Sequence, residues 1–466
     1  LTTLSFWGGV GTVTGSKYVI ETDRAKVLID CGIFQGIKEL RERNWQAPPF
    51  DPRSLDAVLI THAHIDHTGY LPRLVSQGFT GPIYCSRGTS DLLKIMLPDA
   101  GRLQEEEADY RNRHKLTKHH PALPLYTEKD AFAALKLVKP IKNNGEPTKV
   151  AQKIQARFTT SGHILGSSLV LVELDREAQQ DSGLRVLFSG DLGHYNQPII
   201  RDPLPPPACD YLVVESTYGD RQHDPEDPKE ALKRLINRAA RDEAPILIPA
   251  FAVGRTQEIL YLIRELEDEK QIPILPVCID SPMAAAATTA YSNRTEEQDE
   301  DYASVVARKK HPLRTNRMMT CSSRSESKRL NDVQGARVII SASGMMTGGR
   351  VLHHALRMVP EPSATVVFVG YQAAGTPGRR ILDGEPEVKI LGQWIPVRCQ
   401  VERIGSFSAH ADWKEILQWL KGLAAPRMTF LTHGEPHAAE AMAGHIQQRY
   451  GWNTSVPNYG DRFQVV

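Results

Sequence analysis

The sequence predicts an α/β protein of more than one domain, and three observations carry that expectation. Short apolar runs read as buried strands, and the residue at the carboxyl end of the run is repeatedly an Asp, Glu or His. From about residue 220 strands and helices alternate, the pattern of a mainly parallel sheet. After about residue 395 the earlier style of segment returns. The 466 residues exceed one ordinary domain, and the 41% hydrophobic content supports sizeable cores.

The strongest element is Thr61-His62-Ala63-His64-Ile65-Asp66-His67-Thr68-Gly69, which follows the apolar run Asp56–Ile60. A strand thus delivers three imidazoles and a carboxylate into one loop, and these are donor types that zinc binds. His62 and His64 alternate as strand residues do, while Asp66 and His67 sit just beyond, within reach of a second, adjacent metal. Before this loop, short strands are expected at Leu4–Trp7, Lys17–Glu21 and Lys26–Asp30. The spacing of Gly9, Gly11 and Gly15 is wrong for a dinucleotide loop, and a strand follows rather than a helix, so a tight turn close to the site is the better reading. Asp30, at a strand end, is either a turn residue or the acceptor of a hydrogen bond from a ligand histidine.

A helix is expected at Tyr70–Gln77, a strand at Ile83–Cys85, and mostly helix from about 88 to 138, where the charged middle reads as a solvated face that includes His119 and His120. His163 follows the strand Ile154–Phe158 in a glycine-flanked loop and suits a third imidazole beside His62 and His64. Asp191 follows the strand Leu184–Ser189, where a carboxylate could bridge two zincs. Glu215 ends the strand Tyr211–Val214. Buried strands converging on one sheet edge give one site, and this repetition is the main evidence for it.

In the second half a helix at about 226–242 precedes the strand Pro245–Pro249. Then come Ala250–Arg255 with another helix, the strand Ile274–Ile279, the strand Arg337–Ile340 and the strand Thr365–Val369. The loop Ser341–Arg350 is Gly-rich and opens a helix, which suits a phosphate or an ordinary turn. The basic run 308–329 is a solvated face or a contact for nucleic-acid backbone. His410, in Ser408-Ala409-His410-Ala411-Asp412, precedes a helix at Trp413–Leu423. The strand Met428–Leu431 ends in Thr432-His433-Gly434-Glu435.

Composition excludes some classes. No stretch is apolar and long enough to span a bilayer, and Leu1–Gly8 lacks the basic and apolar regions of a signal peptide. The six cysteines are scattered without a C-x-x-C pair, against a disulfide framework or thiolate zinc site and in favour of a reducing cytoplasm. The net charge of +1 announces no nucleic-acid binder, although a local basic groove would not appear in that sum.

Asp30, His62 to His67, His163 and Asp191 resemble the motifs of the metallo-β-lactamase superfamily. Glu215, His410 and His433 resemble motifs A, B and C of its β-CASP branch, the nucleic-acid-processing members. Residues 215–221, 250–255 and 375–379 look similar to that branch as well. The resemblance implies an αββα sandwich at 1–219 and 396–466 with an inserted α/β β-CASP domain at 220–395. It implies a zinc-dependent ribonuclease, related in character to the polyadenylation-factor cleavage endonuclease, since a histidine at motif C goes with RNA-processing members. Neither a ribonuclease J type carboxyl-terminal domain nor a KH-type module is expected.

On this resemblance two Zn²⁺ per chain are expected, with Mn²⁺ or Fe²⁺ as alternatives. His62, His64 and His163 would hold one, Asp66, His67 and His433 the other, and Asp191 would bridge. Asp66, Glu215 and His410 are the expected catalytic residues, with a metal-bridging hydroxide as nucleophile and His410 as proton donor. Products would carry 5′-phosphate and 3′-hydroxyl ends. Arg255, Ser343, Thr347 and Arg379 are expected phosphate contacts. The expected partner is RNA in single-stranded regions; a homodimer stays open. A DNA nuclease of the same branch and a small-molecule metallo-hydrolase are the alternatives.

Overall fold

The computed structural model describes residues 2–115, 121–175, 183–308, 310–373 and 375–466. His119 and His120 lie outside the described residues, as does Lys309 of the basic run. The chain forms two compact units, Leu1–Gln222 with His410–Val466, and His223–Ala409.

The first unit holds two seven-stranded sheets. In one, the order is Arg462–Val465, Thr2–Phe6, Tyr18–Glu21, Lys26–Ile29, Ala57–Leu59, Ile83–Ser86 and Val138–Ile141. In the other it is Thr454–Ser455, Met428–Thr432, Tyr211–Glu215, Leu184–Phe188, Ser168–Leu174, Ile154–Thr160 and Thr148–Ala151. Alternate residues of each strand fill the space between the sheets: Phe6, Ile29 and Leu59 from the first meet Phe158, Val172, Phe188 and Phe430 from the second in one buried cluster. The rings of Phe6 and Phe430 lie 5.1 Å apart. The residues between them in sequence, such as Leu171, Leu187, Leu212 and Leu431, point the other way. They are covered by Trp413–Leu420 and Pro436–Tyr450 through Ile416, Trp419, Ala439 and Met442. The helix Arg87–Arg113 packs on the outer side of the first sheet. The layering is αββα, because each sheet is apolar on both faces and each face needs a cover.

Strands Tyr211–Glu215, Leu184–Phe188 and Met428–Thr432 run parallel, so their carboxyl ends share one edge. Lys26–Ile29, Ala57–Leu59 and Ile83–Ser86 do the same in the other sheet.

The second unit carries a six-stranded sheet in the order Met318–Thr320, Val277–Ile279, Arg337–Ser341, Pro245–Pro249, Thr365–Phe368, Gln400–Arg403, with every pairing parallel. Helix Pro228–Arg241 shows why its segment is helical. Asp227 caps the Lys229 N–H, Pro228 occupies the first turn, and Ala231, Leu232, Leu235, Ile236 and Ala239 form one buried face. The expected strand 274–279 is shorter, Val277–Ile279, since Pro273 and Pro276 supply no backbone donor.

Candidate metal centre

Strand Ala57–Leu59 is fully buried and leads into Thr61 and His62. The next turn, Ile65–Thr68, carries Asp66 and His67. Its position is set by backbone: Ser16 N donates to Asp66 O at 2.9 Å, Cys31 N to His67 O at 2.7 Å and Ile33 N to Ile65 O at 3.1 Å. Only glycine fits at residue 32, where a Cβ would lie 1.5 Å from Asp66 O. The loop carrying His163 is tied to that carrying Asp191, Ser161 Oγ donating to Asp191 O at 2.9 Å. His433 follows Met428–Thr432 and donates its N–H to Gly9 O at 2.5 Å, so the glycine turn does approach the site closely.

These loops converge. His62 Nε2 lies 3.1 Å from His64 Nδ1, and His163 Nε2 lies 3.2 Å from the same atom. Asp191 Oδ2 is 3.3 Å from His62 Nε2 and 3.5 Å from His163 Nε2. In a second group, His67 Nε2 faces His433 Nε2 at 3.1 Å, and Asp66 Oδ2 is 3.3 Å from His433 Nε2. Asp191 Oδ1 is 3.3 Å from His67 Nε2. The two carboxylate oxygens of Asp191 thus turn to different groups.

The donor set fits metal ions on three counts. Two nitrogens bound tetrahedrally at 2.0–2.1 Å would stand about 3.3 Å apart, close to the separations between imidazoles here. Asp191 Oδ1 is buried and accepts no hydrogen bond among the described residues. Three of the other ring nitrogens have partners: His62 Nδ1 faces Thr61 Oγ1 at 3.1 Å, His67 Nδ1 faces Asp30 Oδ2 at 2.7 Å, and His433 Nδ1 faces Thr217 Oγ1 at 3.1 Å and Asp191 Oδ1 at 3.5 Å. That arrangement leaves Nε2 of His62 and His67 facing the cluster, and Nε2 of His433 facing His67 and Asp66, as ligating imidazoles require.

Electrostatics agree. Burial pushes the His62 imidazole down to about 3 and lowers His64 and His163 as well, keeping their lone pairs available. Burial works against ionisation of Asp191 and Asp66. Imidazoles outweigh it, led by His433 and His67 at Asp191 and by His433 at Asp66, so both carboxyls lie below the usual range. His67 differs: burial lowers it, but the carboxylates of Asp191 and Asp30 outweigh burial and raise it well above the ordinary value. A protonated His67 has no lone pair to give. The same carboxylates would attract a divalent cation, and His67 would give up that proton to become its ligand.

Beside the cluster, His410 Nδ1 lies 3.1 Å from Glu215 Oε2 and 3.9 Å from Asp191 Oδ2. Glu215 is buried, and its Oε1 accepts from Leu192 N at 2.6 Å. Burial lowers the His410 imidazole, but Glu215 and then Asp191 outweigh it and raise it to about 9.

The expected phosphate contacts lie in the second unit. Ser343 Oγ accepts from Thr347 N at 3.0 Å, and Val351 N donates to Ala342 O at 3.4 Å, so part of the amide set of the Gly-rich loop is spent internally. Arg255 is buried beside Glu258, with its guanidinium 5.0 Å from the Phe407 ring. Arg379 is exposed and pairs with Asp383 at 2.8 Å.

Sequence reasoning passed over Thr61, Thr217 and Leu192. Thr61 had a signal, adjacency to His62, and Thr217 had one in lying two residues after Glu215; the Leu192 amide had none.

Comparison with known proteins gives three family matches. They are the metallo-beta-lactamase superfamily over residues 10–136, the Beta-Casp domain over 256–381, and the Zn-dependent metallo-hydrolase RNA specificity domain over 394–457. The chain is 35% identical over 462 residues to Ribonuclease TTHA0252 of Thermus thermophilus, covering 98% of this chain and 99% of that one. It is 30% identical to Transcription termination factor FttA of Methanocaldococcus jannaschii, covering 99% of this chain and 71% of that one. It is 29% identical to an RNase J-like protein of the same organism, with 98% of each covered. A solved protein of unknown function from Enterococcus faecalis shares the fold, with a TM-score of 0.56, 14% identity and 99% of each chain covered.

Proposed function

The chain belongs to the β-CASP branch of the metallo-β-lactamase superfamily, and on that premise we propose that it is a zinc-dependent ribonuclease cutting RNA phosphodiester bonds endonucleolytically. The observation that carries the reading is the pair of adjacent donor groups sharing Asp191, with the Glu215–His410 pair beside them. Relatives named as a ribonuclease and as a transcription termination factor support RNA as the substrate.

His62, His64 and His163 would hold one zinc, and Asp66, His67 and His433 the other, with Asp191 reaching both. Bound there, such a pair supplies Lewis-acid charge to a phosphoryl group and a nucleophile at neutral pH. The protein's own part is positioning and proton transfer. Glu215, fixed by the Leu192 amide, holds His410 through Nδ1. That leaves Nε2 to hand a proton to the departing 3′ oxygen of the ribose, giving 5′-phosphate and 3′-hydroxyl ends. The Glu215 carboxylate beside Nδ1 favours the protonated imidazole, the state a general acid needs. Asp30 and Thr217 orient His67 and His433 from behind.

All six cysteines are buried and unpaired, which supports a reducing, cytoplasmic setting. Among the described residues no helix is long and apolar enough to cross a membrane.

The test is cleavage of one RNA, labelled separately at each end, by metal-loaded wild type and by Asp191→Ala. Discrete internal fragments that vanish in the variant are expected. Mononucleotides from the 5′ end alone would make it an exonuclease. Cleavage of matched DNA but not RNA would overturn the substrate class.

A further inference from the structure

The second unit places two exposed aromatic rings at the same sheet edge. Strands Pro245–Pro249, Arg337–Ser341 and Thr365–Phe368 are neighbours and parallel, so their carboxyl ends lie together. Phe251, Gly344 and Tyr371 follow those ends. Ala250 and Val369 nearby are 1% exposed, whereas Phe251 is 44% and Tyr371 55% exposed. The Phe251 ring lies over two glycines: a Cβ on Gly344 or on Gly370 would be 3.4 Å from it. Side chains there would cover the ring.

The surrounding loops are braced. Gln372 is 4% exposed, and its Nε2 donates to Gly344 O at 2.9 Å and Gly370 O at 3.2 Å. Gly378 N donates to Met345 O at 3.3 Å. Tyr371 is therefore carried on a fixed turn, while its own ring is open to solvent.

Beside it is a cavity of about 550 Å³ lined by Tyr371, Gln372, Arg379, Arg380, Asp383 and Glu385. Its charges decide what it suits. Arg379 is held by Asp383 at 2.8 Å and Arg380 by Glu385 at 2.8 Å, so the lining is neutral overall. A site for phosphate needs an excess of positive charge, which this lining lacks. A nucleobase is uncharged, has a π-face for an aromatic ring and carries donors and acceptors on its edge. Guanidiniums and carboxylates side by side match such an edge.

We propose, resting on the ribonuclease reading above, that this cavity receives one unstacked base of single-stranded RNA, its face on Tyr371 and its edge toward the Arg379–Asp383 and Arg380–Glu385 pairs. Phe251 offers a neighbouring base a second stacking surface. Arg379 then reads base rather than phosphate. Because stacking is tolerant of sequence, the cavity selects for single-strandedness more than for one base.

The experiment uses the full, metal-loaded chain and a single-stranded RNA dodecamer, reading the concentration that gives half-maximal single-turnover cleavage. Tyr371→Ala should raise that concentration about 5- to 150-fold, the worth of one base–aromatic stack. Tyr371→Phe, which keeps the ring, should stay within about twofold of wild type. An abasic nucleotide at the responsive position should weaken wild type as much as Tyr371→Ala does, and cost that variant nothing more. Tyr371 is surface-exposed, and unchanged circular dichroism and zinc content would show that the variant is intact. Wild-type behaviour from Tyr371→Ala, or equal use of abasic RNA at every position, would overturn the base pocket and leave the ribonuclease reading standing. Absence of RNA cleavage by metal-loaded wild type would overturn both.

Discussion

Asp30 Oδ2 and His67 Nδ1 lie 2.7 Å apart, and Asp30 holds this contact from the left-handed backbone region at φ 56°. Its other oxygen accepts from Thr61 N at 2.8 Å. One buried carboxylate therefore orients His67 and fixes the start of the loop that carries His62. His433 too sits at a positive φ, 49°. Two residues of the centre thus occupy a conformation that only a surrounding framework maintains.

Asp30→Asn tests that support. Asparagine tolerates the left-handed region nearly as well as aspartate, so the backbone is retained while the charge behind His67 is lost. Metal affinity should fall about 10- to 100-fold, measured by competition with a chelator. Unchanged affinity would mean that Asp30 serves the turn alone.

Gly32→Ala probes the packing of the loop. The added Cβ would meet Asp66 O at 1.5 Å and His67 N at 2.8 Å, both backbone atoms that cannot swing aside. The expected result is a lowered melting temperature together with loss of bound metal. A variant that melts normally and binds both ions would refute the tight approach.

His433→Ala and His410→Ala should separate. The first removes an imidazole of the His67–Asp66 group and should lower the bound metal toward one equivalent by elemental analysis. The second should retain metal and RNA affinity while kcat drops about 10²- to 10⁴-fold, the usual worth of a general acid. Metal loss from His410→Ala would end its assignment as the proton donor.

Lys17 predicts a pH dependence of stability. It is buried and donates to Gly32 O, and burial pushes it down from 10.5 to about 8, with Cys31 opposing weakly. Between those pH values the unfolded chain keeps a proton that the folded chain has released, so stability rises with pH across that window and is flat below it. The gain of wild type relative to Lys17→Met should approach about 3 kcal/mol from pH 8 to 10.5, read from denaturant unfolding of both proteins. A constant difference would place the Lys17 pKa near its ordinary value.

Much of the centre was legible because its donors are clustered in sequence or stand at strand ends. His62, His64, Asp66 and His67 lie in one loop, and Asp191, Glu215 and His433 each follow an apolar run. Strand Ser168–Leu174, interior in its sheet, is a continuous apolar run of the same kind as the strands that were legible, and it follows the glycine-flanked His163 loop without a site residue of its own to mark it. Strand Gln400–Arg403 went unread for another reason: an edge strand with polar, half-exposed side chains lacks an apolar signature.

The set of donors, the strand-end pattern that delivers them, and the alternation of strand and helix in the second half are legible in the chain alone. Those follow from local residue type and period. Folding selects which nitrogens of His62, His67 and His433 face the cluster, places Thr61, Asp30 and Thr217 beside them, and turns one oxygen of Asp191 to each group. Folding also leaves Tyr371 and Phe251 open at one edge and pairs Arg379 with Asp383. Contacts such as Asp30–His67 and Thr217–His433 join segments far apart in the chain and are set by sheet pairing and packing, whereas Thr61–His62 and Arg379–Asp383 are local pairs whose geometry only the folded backbone sets.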